Sequence, residues 1–166
     1  MLAMQVLPLT LLSQTVFHDG EANEVMGPVK SIKTTYQGNT NVIHFSKEGK
    51  MSFPELEEAE YDADGYIQTA ILKVAGSTTV QTYKWENGNL SSIKSVTTVA
   101  GMTITGSQTR KYDARNVVVS ETTEGAGFVL EMIYADYIFD SKGNWIHRQW
   151  TVDGETFAVN REIEYY

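Results

Sequence analysis

The stretch Tyr61-Asp62-Ala63-Asp64-Gly65-Tyr66 decides how this chain is read. It sets an aromatic residue, an acidic residue, two loop residues and a glycine between strand-like runs. Variants recur as Phe45-Ser46-Lys47-Glu48-Gly49, Trp85-Glu86-Asn87-Gly88, Tyr112-Asp113-Ala114-Arg115-Asn116 and Phe139-Asp140-Ser141-Lys142-Gly143. Their aromatics follow one another at 16, 24, 27 and 27 residues, so each full unit has room for two strands and two turns.

These residue types suit a tight antiparallel turn. Such a turn needs positive φ, which Gly65, Gly88 and Gly143 adopt at low steric cost and which Asn116 tolerates. The carboxylates of Asp62, Asp113 and Asp140 can accept hydrogen bonds from turn amides. An aromatic at the strand end, such as Tyr61, can cover the turn and stack on its counterpart next door. The motif is therefore explained as turn chemistry, without catalysis.

Working outward, residues 29–36 and 42–45 read as the first strands. Residues 66–74, 79–85, 90–99, 103–112, 117–123, 128–139, 145–152 and 156–166 continue the pattern. Turn signals separate them, among them Gln37-Gly38-Asn39, Ala75-Gly76-Ser77, Ala100-Gly101, Gly125-Ala126-Gly127 and Asp153-Gly154. No segment carries a convincing helical period. Residues 53–61 hold helix formers, but Pro54 and the return to alternation favour strand or loop. The expected fold is all-β: an antiparallel meander of about ten to twelve strands, made of consecutive β-hairpins. A sheet that long must twist, giving a strongly curved sheet or an incompletely closed barrel.

Residues 28–166 read as a single β domain, and residues 1–27 differ from it. Met1 to Ser13 is apolar. Its length suits the hydrophobic part of an export signal, although no Lys or Arg precedes it. The alternative is a segment that packs on the sheet and covers its concave side. Export to the periplasm or cell surface follows from the first reading, and a cytoplasmic location from the second.

The net charge is −8. A duplex binder presents a basic face, so nucleic acid is not an expected partner, nor is an anionic membrane surface. No apolar run approaches the roughly eighteen residues of a membrane span. Cysteine is absent, which excludes disulfides, thiolate zinc sites and a cysteine nucleophile.

The copies at Tyr61-Asp62, Tyr112-Asp113 and Phe139-Asp140 resemble the YD repeats of RHS-type proteins. Residues 26–32 (MGPVKSI) also look like the first strand of small secreted YD-repeat proteins from Bacteroidetes-type bacteria. The resemblance covers about residues 26–166, and the copies are degenerate: Ser46 follows Phe45, Glu86 follows Trp85, and the third turn is one residue shorter. It implies hairpin architecture. Long members of the family build β-shells around toxins, and this chain is too short for such a shell.

Nothing in the pattern asks for a cofactor or a metal. His18, His44 and His147 are isolated, with no HxH or HExxH spacing. Asp62 and Asp64 lack the remainder of a calcium loop, and the acidic run 55–64 reads as a charged edge that discourages aggregation. There is no GxSxG elbow, no helix after a glycine-rich turn to hold phosphate, and no placed carboxylate dyad. The aromatics remain. Tyr83, Trp85, Tyr112, Tyr137, Trp145 and Trp150 would form a binding platform if they shared one exposed face, and core or turn covers otherwise. The expected function is a non-enzymatic binding or structural module that recognises a protein or polysaccharide through the sheet surface. The alternatives are an immunity or accessory protein that neutralises a toxin, and a carrier of an apolar ligand inside a curled sheet.

Overall fold

The computed structural model describes residues 15–166. The apolar stretch 1–13 lies outside the described residues. A single helical turn, α1 (Asp19–Ala22), precedes twelve strands. These are β1 (Val29–Tyr36), β2 (Asn39–Phe45), β3 (Met51–Ser52), β4 (Leu56–Tyr61), β5 (Ile67–Val74), β6 (Ser77–Glu86), β7 (Asn89–Val99), β8 (Met102–Tyr112), β9 (Val118–Gly125), β10 (Phe128–Phe139), β11 (Trp145–Val152) and β12 (Glu155–Tyr165). Gly125 ends a strand, so the turn expected at 125–127 is confined to Ala126-Gly127.

All twelve belong to one antiparallel sheet in the order β3-β2-β1-β12-β11-β10-β9-β8-β7-β6-β5-β4. Each strand pairs with its neighbour in sequence except β3 with β4, and β1 also pairs with β12 from Ser31↔Glu164 to Tyr36↔Val159. That pairing nearly closes the meander into a barrel, leaving one unsealed seam. The seam lies between β3 and β4, the two edge strands. Pro54 sits in the loop joining them, where no ladder amide is needed.

The two ends of the barrel use different turns, except that Asn87-Gly88 at the motif end is a two-residue turn with positive φ at both positions. One end carries Gln37-Gly38, Ala75-Gly76, Ala100-Gly101, Ala126-Gly127 and Asp153-Gly154, each a two-residue turn with positive φ at both positions. The other end carries the recurrent motif. There Asp62 Oδ1 accepts from the amides of Asp64 and Tyr66 at 3.1 and 2.9 Å. Asp113 does the same for Arg115 and Val117, and Asp140 for Lys142 and Asn144. Ser46 replaces the aspartate in its copy and accepts from Lys50 N–H at 3.3 Å. The repeat in the sequence is thus a ring of turns at one end of the barrel.

Two apolar clusters fill the barrel. The larger joins Val25 from the N-terminal segment to Ile32, Phe45, Met51, Ile67, Ala70, Tyr83 and Leu90. The smaller holds Val118, Met132 and Tyr134, with Trp150 and Val152 against it. A bulge assists the second. Asp136 has φ 52° and the β10–β11 register shifts there, which turns Tyr137 inward although Tyr134, three residues away, also faces inward.

Candidate functional site

Residues 16–28 cross the end of the barrel ringed by the motif turns. Phe17 N–H donates to Glu48 O at 2.7 Å, and His18 N–H to Gly65 O at 3.1 Å. The first partner lies in the β2–β3 turn and the second in the β4–β5 turn, so the segment spans the seam. Gly65, at φ 91°, passes so close beneath it that a Cβ there would collide with the carbonyl of Val16. The glycine of the motif is required twice here, for φ and for contact.

Asp19 completes the bridge. It is fully buried, and its Oδ2 accepts from Met51 N–H on β3 at 2.8 Å and from Tyr61 O–H on β4 at 2.7 Å. Burial raises its pKa more than the hydrogen bonds from Met51 and Tyr61 lower it. The same contact and burial push the Tyr61 phenol upward.

Further along the segment, Glu24 reaches into a cluster of arginines. Its Oε2 accepts from Arg148 Nη1 at 2.6 Å and from Trp145 Nε1 at 2.7 Å. Burial works to raise the Glu24 pKa, but Arg148, then Arg110 and Arg161, outweigh it and hold the carboxyl below its ordinary value. Arg110 pairs with Glu121 at 3.1 Å and donates to Ala22 O at 2.8 Å. Arg148 stacks on Tyr134 and Trp145, and Arg161 on Trp145 at 3.5 Å. Arg161 has its pKa drawn down to about 9, first by burial, with Arg148 and Arg110 adding to it. Three cations here meet two carboxylates.

The six aromatics of the expected platform all face inward. Tyr83 and Trp145 are buried, and the other four are partly buried against the clusters. Their polar atoms are mostly spent inside. Tyr83 O–H donates to Gln81 Oε1, Trp85 Nε1 to Ile67 O, Tyr112 O–H to Leu90 O, and Tyr137 O–H to Val118 O. They do not form an outer platform, because register and the Asp136 bulge put them on the concave side.

A hollow on that concave side was not singled out from sequence. Ser95, Gly106 and Gly125 share one row across β7, β8 and β9. Both glycines are closely approached: a Cβ at Gly106 would meet Ser95 Oγ at 3.1 Å, and one at Gly125 the Thr105 carbonyl at 3.1 Å, so the neighbours would have to shift. A hollow of about 300 Å³ lies beside this row. Gln81, Thr97, Gln108 and Thr123 surround it, with Ile93, Ile104 and Phe128. Among the described residues, the side chains of Ser95, Gln108 and Thr123 have no hydrogen-bond partner. A glycine facing a glycine across two strands was the available sequence signal, but the register that pairs them is not readable from sequence.

No protein-family model matches the chain, and no curated protein matches it. A second hollow, of about 250 Å³, lies under the N-terminal segment beside Arg115 and Asn144. The amide of Asn144 is already engaged there with Met26 N–H and O.

Proposed function

We propose that the protein is a non-enzymatic, exported binding module, and that the hollow at Ser95, Gly106 and Gly125 receives a neutral, hydroxyl-rich ligand, a segment of polysaccharide. The observation that carries this reading is the lining. Unspent amide and hydroxyl groups of Gln108, Ser95 and Thr123 stand beside the apolar faces of Phe128 and Ile104. A sugar ring offers that combination, with hydroxyls around its edge and an apolar face. An apolar ligand would leave the amides unpaired, which costs binding energy. The YD-repeat resemblance supports an exported module, and so does the apolar stretch 1–13; fractionation of the native host tests export.

Titration calorimetry with neutral oligosaccharides tests the binding. Affinity falls by about tenfold or more in Gln108→Ala, which removes the amide with its carbonyl acceptor and NH2 donor, and is abolished in Ser95→Leu, which fills the hollow. Absence of binding by the folded wild type, or binding unaffected by both substitutions, overturns the reading. The net charge of −8 favours a second reading, an accessory protein for a basic partner. That reading requires an affinity that drops steeply with added salt.

A further inference from the structure

The hollow under the N-terminal segment is separate from the one at Ser95 and is lined differently. Its walls are largely apolar, with Val25, Met26, Tyr112, Val117, Phe139 and Trp145 among them. Two of these stay uncovered: Met26 is 59% exposed and Phe139 39%. Apolar side chains exposed on a concave site offer surface that an apolar body would remove from water. The volume sets the size of that body. A dry cavity of about 150 Å³ takes a benzene ring. The hollow of about 250 Å³ therefore holds one aromatic or branched aliphatic group with its attached carbon.

Charges of both signs line the same hollow. Glu21 comes from α1, and Arg115 from the turn between β8 and β9. Both are exposed, and each is paired with a near neighbour in sequence: Glu21 with His18 at 3.1 Å, Arg115 with Asp113 at 2.9 Å. Exposed pairs of this kind are weak, so a ligand can compete for both partners. Arg115 gives Nε and Nη2 to Asp113, which leaves Nη1 for a second carboxylate. Beside it, Asn116 accepts from Asn89 Nδ2 through Oδ1, and its own amide donor is unspent among the described residues.

These neighbours decide the charge of the occupant. A simple cation is disfavoured, because Arg148 and Arg161 already lie over the Trp145 ring at 4.1 and 3.5 Å. Glu24 also lines the hollow, but Arg148 and Trp145 hold its carboxylate. A simple anion would share the hollow with the carboxylate of Glu21. A zwitterion meets both Arg115 and Glu21.

We infer that this hollow binds a free α-amino acid with an apolar side chain, such as phenylalanine or leucine. The side chain rests against Phe139 and Met26, the α-carboxylate takes Arg115 and the Asn116 amide, and the α-ammonium takes Glu21. The site does not rest on the saccharide reading, because it is a different hollow with different residues.

The test is calorimetric titration of the full chain with L-phenylalanine, phenylalanine amide, N-acetylphenylalanine and glycine, with the backbone signals of Asn116, Gly143 and Trp145 followed by NMR. The expected result is saturable binding of phenylalanine that shifts those signals, an affinity lower by about tenfold or more for each capped form, and no saturable binding of glycine. Arg115→Met weakens phenylalanine by about tenfold or more and leaves phenylalanine amide unchanged. Glu21→Gln weakens phenylalanine and leaves N-acetylphenylalanine unchanged. Both side chains are exposed, so the substitutions preserve the fold. No saturable binding of phenylalanine, shifts confined to the residues around Ser95, capped forms that bind as well as phenylalanine, or an affinity unchanged in both variants overturns the proposal.

Discussion

The carboxylate of Asp19 and the phenol of Tyr61 meet at 2.7 Å beside the unsealed seam of the barrel. The residues are far apart in sequence, and neither edge strand pairs with the other. The bond, with its companion to Met51 on the opposite edge, does what a strand ladder does elsewhere. Asp19→Ala strands a buried amide and a part-buried phenol, and the expected cost is about 2–4 kcal/mol in urea unfolding, given that each orphaned donor costs about 1–3 kcal/mol. Tyr61→Phe removes one of the two bonds and costs less than Asp19→Ala.

Two buried carboxyls give opposite pH dependences. Asp19 has a folded pKa raised above its ordinary 3.8. Its contribution is fully present below that value and is lost as the pH rises through the folded pKa. Glu24 has a folded pKa below its ordinary 4.5. Its contribution is present above 4.5 and is lost as the pH falls. Urea midpoints measured across the acid range check both. Asp19→Asn removes a decline in stability on raising the pH above about 4, and Glu24→Gln removes a decline on lowering it below about 4.5.

Glycines of the two ends are not equivalent. A Cβ at Gly154 meets nothing within 4 Å, so Gly154→Ala carries only the left-handed backbone cost of about 1–2 kcal/mol. At Gly65 the same substitution also pushes away the N-terminal segment. Gly65→Ala is expected to cost at least about twice as much. Equal midpoint shifts in thermal or urea unfolding would show that the segment does not lie where Gly65 meets it.

The motif itself predicts a gain. Ser46 holds the place of Asp62, Asp113 and Asp140 but accepts a single amide. Ser46→Asp gives its turn a second acceptor oxygen and a charge, and stability rises by about 0.5–1.5 kcal/mol. Asp140→Ala moves the other way, and by more than Asp62→Ala, because the second oxygen of Asp140 accepts from Tyr165 O–H in a part-buried bond whereas that of Asp62 accepts from the Gln68 amide in an exposed one.

The hairpins were legible in the sequence because their determinants are local. Glycine and Asn116 mark the turns, aspartate satisfies their amides, and alternation marks the strands. The twelve-stranded meander follows from those signals. An incompletely closed barrel was among the expected forms, but which strands close it was not legible, since the β1–β12 ladder joins residues more than a hundred positions apart. The roles of Asp19 and Glu24 were hidden for the same reason: both sit in a polar, turn-like segment whose partners come from β3, β4 and β11. The aromatics were found as a set but not placed. Inward or outward depends on register, and the bulge at Asp136 changes it for Tyr137.

The most direct test of the account is chemical-shift mapping of the labelled chain with neutral oligosaccharides. The account predicts saturable perturbations gathered on Ser95, Gly106, Gln108, Thr123 and Gly125, all absent in Ser95→Leu. Perturbations confined to the outer strand faces or to the motif turns, or none with the fold intact, would contradict it.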